Sequence, residues 1–270
     1  MSGTVLAYPV KDRDQNVIPF KIVGDKPIKR NKDGSVCKIK NNRIAGVSTE
    51  VFSLSTSEKI AMEEVFRLRI SSLPPTSFTR LKAARRNLLL FNMGIQAGLR
   101  ASDLCVLKWS FFFEEKDFYE NKSLVYKPYG RLMPKKTKKH KKFATIYFNN
   151  NLKKSIQEYI DIYPITNLED YIFTSQKGGN PIEPKYIWDI VDKAAYDAGV
   201  NHNVGSHSLR KTFGYHIWHN AEDKNKALVV LQDVYNHSST DITRRYIGIT
   251  LEEKQEVFDL IGDVFDDCET

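Results

Sequence analysis

Residues 207–216 read HSLRKTFGYH. His207 and Arg210 stand three positions apart, a spacing that puts both side chains on one face of a helix. The pattern predicts a helix that begins at Ser206 or His207 and runs through Trp218. The free N–H groups of its first turn favour an anion beside the histidine. Taken alone, the pair is equally a polar couple on an ordinary surface helix, so the neighbouring stretches have to decide.

Upstream, the apolar spacing is helical over long runs. SEKIAMEEVFRLRI places Ile60, Met62, Val65, Phe66 and Leu68 at three- and four-residue intervals, and Pro74–Pro75 closes that segment. A second helix starts near Thr79, carries Leu81, Ala84, Leu88, Phe91 and Ile95 on one face, and stops at Gly98. Residues 103–107 read as a short helix or turn before Trp109. Between 111 and 148 the character turns strand-like: SLVYKPY and FATIYF flank a lysine cluster, which predicts a small antiparallel sheet with a basic hairpin. Helices are expected again at 150–162, at 184–198 with Gly199 as the stop, and at 226–235, with YIFTSQKGGNPI extended around a Gly-Gly turn. A last helix is expected over 250–262, where Thr250 and Glu253 have the spacing of a capping box. The fold class is therefore mainly α with a small antiparallel β-sheet. Residues 1–55 differ: they are polar, lysine-bearing and broken by Pro, Gly and Asn, with a turn expected at Asp33–Gly34. The chain divides into this basic extension, 1–55, and one folded domain, 56–270.

The 270 residues carry a net charge of +8, which favours a polyanionic partner. The charge is concentrated at 135–142, KKTKKHKK, whereas the final ten residues are acidic. Three scattered cysteines, Cys37, Cys105 and Cys268, lack CxxC spacing, so neither a disulfide framework nor a zinc site is expected. No signal-peptide pattern and no membrane-length apolar run occur, and a cytoplasmic protein without a membrane partner is expected.

Three further stretches carry groups that can act on a phosphate. In AGLRASDL, Arg100 follows the glycine stop, and Asp103 is placed to orient its guanidinium. In the lysine cluster, Lys135, Lys136, Lys138, Lys139, Lys141 and Lys142 can meet a phosphate backbone, and one can give a proton to a leaving oxygen. In NHSSTDITRRYIGI (236–249), His237 and Tyr246 are nine apart with Arg244 and Arg245 between them. A phenol that titrates near 10 is a poor nucleophile unless its proton is taken or its target's charge is stabilised.

The order of these pieces, an early arginine, a basic hairpin, His-x-x-Arg, then His and Tyr, resembles the tyrosine recombinase (phage integrase) family over about residues 57–262. GLR…DL, HSLRKTFGYH and NHSS…RYIGI look most like the compact integrases of Gram-positive bacteria and their mobile elements. The resemblance implies the catalytic-domain fold of that family and a catalytic set of Arg100, Lys136, His207, Arg210, His237 and Tyr246. Lys136 matches the family's lysine turn best, with Lys138 and Lys139 as rivals. It implies that Tyr246 attacks a DNA phosphodiester to form a 3′-phosphotyrosyl bond, without metal or nucleotide cofactor. Double-stranded DNA is then the partner, with self-association into a synaptic tetramer and accessory DNA-bending proteins. Lys135, Lys138, Lys139, Lys141, Lys142 and Arg244 are expected on the DNA backbone. The pattern departs from the family in two places. Only about 55 residues precede the catalytic part, where larger members carry a helical DNA-clamping domain, and Asn236 stands where many members have glycine. A topoisomerase IB-like nicking and resealing enzyme, and a non-catalytic DNA-binding regulator, are the alternatives.

Overall fold

The computed structural model describes residues 51–133, 143–175 and 179–248, the backbone of 10–11 and 17–18, and residue 258. Helix α1 (Thr56–Ser71) starts at a capping box. The Glu58 carboxylate accepts the Ser55 N–H at 2.8 Å, and the Ser55 hydroxyl accepts the Glu58 N–H at 3.3 Å. Two orphan donors of the first turn are thereby satisfied. Met62, Val65 and Phe66 then face inward. Helix α2 (Phe78–Ala97) is the central post, packed against α1, α5 (Asn150–Ile160) and α7 (Ser206–His219). It buries Leu88 through Ile95 almost continuously, as a helix surrounded by others must. Helix α6 (Pro184–Asp197) closes the remaining side against α1 and α7.

Phe66, Phe91, Leu152, Val191 and Leu209 lie in the main core these helices share. A fully buried leucine such as Leu209 contributes about 1.5–3 kcal/mol relative to an exposed one. A second, smaller core joins Trp218 of α7, Leu228, Leu231 and Tyr235 of α8 (Lys224–Tyr235) and Ile247 of α9 (Thr240–Ile247). α7 belongs to both cores and ties them together.

The expected sheet is present. Strand β3 (Tyr129–Leu132) pairs antiparallel with β4 (Ala144–Tyr147), Tyr129 opposite Tyr147 and Leu132 opposite Ala144. The sequence between 111 and 128 behaves differently from expectation. Glu115–Asn121 forms a short helix, α4, with Glu115 and Asp117 in the first turn, where the helix dipole favours acids. Of SLVYKPY, Tyr126 makes an isolated bridge to Phe113 and Tyr129 opens β3. A two-residue pair, β1 (Val10–Lys11) with β2 (Val17–Ile18), lies antiparallel ahead of α1. The turn expected at Asp33–Gly34 and the helix expected at 250–262 lie outside the described residues.

The end of α2 sets the position of everything that follows. Gly98 has φ 58°, left-handed backbone that a side chain resists. A Cβ at this position would also overlap the Phe213 ring of α7. Glycine thus stops the helix and lets α7 come close, and Arg100 and α3 (Ala101–Leu104) follow at once.

Candidate active site

Arg210 is the centre of the arrangement. It sits on α7 at 4% exposure, a depth a guanidinium tolerates only when its donors are used. Nη1 donates to the Gly98 carbonyl at 2.5 Å, and Nη2 donates to the Tyr235 carbonyl at 3.2 Å. Its guanidinium carbon lies 4.1 Å from the centre of the Tyr235 ring, a close cation–π stack. The Tyr235 hydroxyl returns to the same residue, donating to the Arg210 carbonyl at 2.6 Å. Burial lowers the Arg210 proton affinity, while the charge of nearby Asp103 favours its cationic form. A guanidinium remains charged in any such setting.

Arg100 reaches the same place from the α2–α3 corner. Its Nη2 donates to the Tyr235 carbonyl at 3.4 Å, so one oxygen gathers both guanidinium groups. Asp103, expected to orient Arg100, is 2% exposed and bears electrostatically on Arg210. The carbonyl that gathers the pair is the last of α8. Asn236 follows it in the left-handed region with φ 54° and caps the helix. The chain turns there and delivers His237.

His237 is half-buried between two aromatic rings, 5.3 Å from Tyr235 and 5.3 Å from Tyr246 by ring centres. Nδ1 lies 3.0 Å from the Thr243 hydroxyl. Burial first, then the charges of Arg210 and Arg100, pull its titration down to about 4, so the imidazole is neutral at pH 7. Tyr246 sits one helical turn beyond Thr243 on α9, its ring 5.4 Å from Tyr235 at 73°. Burial raises the Tyr246 phenol above its ordinary value. Arg210 and Arg100 oppose that rise, and Arg210 also hydrogen-bonds the phenol. The phenol is therefore neutral at pH 7 and would need a proton acceptor to act as a nucleophile. Lys211, also buried, places its ammonium 5.7 Å from the Tyr246 ring centre.

Arg100, Arg210, His237 and Tyr246 thus converge, from three separate segments, around the end of α8. His207 is exposed on the first turn of α7, one turn ahead of Arg210. Arg244 is half-buried on α9 and Arg245 is exposed there. Lys135, Lys136, Lys138, Lys139, Lys141 and Lys142 lie outside the described residues, between β3 and β4. Among the described residues no cluster of His, Cys, Asp and Glu could hold a metal, and no helix is long and apolar enough to cross a membrane.

Sequence reasoning passed over Tyr235, Thr243 and Gly214. Tyr235 continues the apolar spacing of Leu228 and Leu231, and its position two residues before His237 is a usable signal. Thr243 stands three before Tyr246, on the same face of a helix. Gly214 could be read only from the packing, because a Cβ there would overlap the Tyr235 hydroxyl and Ile247.

The phage integrase family model matches residues 76–253. The probable integrase/recombinase YoeC of Bacillus subtilis is 32% identical over 182 residues, spanning 67% of this chain and 88% of that protein. The tyrosine recombinase XerC of Thermodesulfovibrio yellowstonii is 25% identical over 228 residues, 82% of this chain and 67% of that one. Among solved structures, XerA recombinase shares the fold with a TM-score of 0.53 at 19% identity, covering 78% of this chain and 66% of that one. XerH in a post-cleavage complex with a palindromic difH substrate gives a TM-score of 0.53 at 20% identity, over 85% of this chain and 62% of that one. This chain therefore spans less than two thirds of the length of those two solved recombinases. The family match covers most of the helical body and contains Arg100, His207, Arg210, His237 and Tyr246, and on that basis this protein belongs to the phage integrase family of tyrosine recombinases.

Proposed function

We propose that this chain is a site-specific DNA recombinase that cleaves and rejoins strands through a 3′-phosphotyrosyl intermediate. The observation that carries the reading is the convergence of Arg100, Arg210, His237 and Tyr246 on the C-terminal end of α8. Tyr246 Oη attacks the scissile phosphorus, the phosphorus–5′-oxygen bond breaks, and a 5′-hydroxyl departs. Arg100 and Arg210 hold the two non-bridging oxygens and stabilise the charge of the pentacoordinate transition state, for which forked cations are well shaped. Lys136 gives its proton to the departing 5′-oxygen, His207 accepts the tyrosine proton, and His237 hydrogen-bonds the phosphate. Two guanidinium groups and a lysine supply the positive charge that a metal ion provides in other phosphoryl transfers. The phosphotyrosine conserves the energy of the broken bond, so rejoining needs no nucleotide.

Double-stranded DNA lies against the lysines of 135–142 and Arg244 on this reading, in keeping with the charge of +8. The protomers assemble as a tetramer on synapsed sites, with DNA-bending proteins assisting, in the cytoplasm and on the nucleoid. Residues 56–270 form the catalytic domain, with residues 1–55 a basic extension ahead of it. The test is a nicked suicide substrate carrying a candidate site. A covalent protein–DNA adduct that maps to Tyr246 is expected. An adduct at another residue, or none with any cognate site, would sink the reading.

A further inference from the structure

His237 makes one hydrogen bond that the reaction scheme leaves unused. Its Nδ1 lies 3.0 Å from Thr243 Oγ1, and Thr243 is 0% exposed. A buried hydroxyl has one proton to give, and here it is aimed at a carbonyl. Thr243 Oγ1 donates to the Ser239 oxygen one turn back at 3.4 Å. A carbonyl oxygen can only accept, so the hydroxyl is left with lone pairs for the imidazole. The ring cannot easily turn to exchange its nitrogens, because Tyr235 and Tyr246 flank it, each at 5.3 Å. The supporting turn is fixed independently, since Ser239 caps α9 by accepting the Ile242 N–H at 3.3 Å.

We propose that Thr243 is a positioning residue for His237: its hydroxyl accepts the Nδ1–H and donates to Ser239, so that Nε2 is the nitrogen presented to the scissile phosphate. This deepens the recombinase reading and rests on it for the role of the phosphate. The groups around the ring are Arg210 from α7, Arg100 from the α2–α3 corner, Tyr235 from α8 and Tyr246 from α9, with Lys211 against the Tyr246 ring. In the DNA-free protein Nε2 then carries a lone pair. A phosphodiester oxygen offers only lone pairs as well, so Nε2 must first bind a proton from solvent. That proton forms the hydrogen bond to a non-bridging oxygen, and the Nδ1–H bond to Thr243 persists in both states. A histidine whose proton is fixed by its second partner works in one orientation only.

Long-range proton–nitrogen correlation spectra of the full chain with 15N-histidine, free of DNA at pH 7.5, read the tautomer directly. His237 is assigned by the signals lost in His237→Gln. The expected wild-type form carries its proton on Nδ1, and a proton on Nε2 overturns the proposal without needing any Thr243 variant to fold. Thr243→Ser should keep the tautomer, whereas Thr243→Val should shift it toward Nε2–H; an unchanged tautomer in Thr243→Val overturns the proposal. With the suicide substrate, Thr243→Val should cleave about tenfold more slowly and Thr243→Ser within about twofold of wild type, the scale of one net hydrogen bond. Equal losses in both variants also overturn it. A wild-type protein that yields no adduct would defeat the recombinase reading instead, and the spectra would still decide the tautomer.

Discussion

Arg210 rises from a 14-residue helix, α7, that buries Ser208, Leu209, Arg210, Lys211 and Thr212 in succession. Tyr246 stands next to last in an 8-residue helix, α9, whose buried residues are Thr243 and Ile247. The guanidinium half of the site is thus built into the junction of two cores, while Tyr246, the proposed nucleophile, rides on an element held by a narrow stripe of buried residues. Helices this short are marginal alone and depend on tertiary contacts. The contrast fits the tasks. On the proposed mechanism, a cradle for a transition state gains from being fixed in advance, whereas a tyrosine that joins DNA and later leaves it must be able to shift.

Substitutions in each half of the site should act differently. Tyr246→Phe should abolish adduct formation on the suicide substrate and leave DNA binding nearly intact; cleavage equal to wild type would remove Tyr246 from the chemistry. Arg210→Lys keeps the charge but loses the fork. It should slow single-turnover cleavage roughly 100- to 1,000-fold, the range for removal of one preorganised donor. The same change leaves the Gly98 and Tyr235 carbonyls short of donors, so chemical denaturation should show a loss of about 1–3 kcal/mol.

Gly98→Ala tests the built-in half by packing alone. Left-handed backbone and overlap with Phe213 should together destabilise the fold by about 2–4 kcal/mol, read as a lower denaturation midpoint. Ile247→Ala tests the other half. It should cost about 2–3 kcal/mol, concentrated in faster amide exchange of α9, with α7 protected as before. Uniform loss of protection would mean that the two halves are one cooperative unit.

The last contrast concerns pH. His237 titrates near 4 in the folded chain against about 6.5 when unfolded, so the unfolded chain binds more protons across that window. The stability tied to the neutral ring is complete above about 6.5 and is lost as the pH falls toward 4. His216, also lowered by burial, adds a slope of the same sign. His237→Gln should therefore flatten the decline between pH 6.5 and 4 without removing it, as followed by denaturation across that range.

Much of this was legible in the chain. α1, α2, α5, α6, α7 and α8 announce themselves through apolar spacing, and Gly98 and Gly199 mark two of their ends by residue type. α4 was not legible because it buries no residue, and a helix without an apolar stripe leaves no period to detect. The order of the motifs named Arg100, Arg210, His237 and Tyr246, which the structure brings together, and also His207, which it leaves exposed one turn ahead of Arg210. Tyr235 stayed hidden because its part is played largely by a backbone carbonyl, and every residue type has one. Thr243 stayed hidden because its partner is fixed by the turn at Asn236, a local backbone choice that side-chain patterns do not encode.

The single oxygen shared by Arg100 and Arg210 has a consequence for assembly. Two like charges held close repel, and Arg100 does disfavour the cation on Arg210. The oxygen between them ends α8, where aligned peptide dipoles leave about half a negative charge. The polypeptide thereby carries its own substitute anion and can bring the two guanidinium groups together before any nucleic acid arrives. Binding energy from DNA is then free for other work, such as distorting the duplex, since it is not needed to gather the cations.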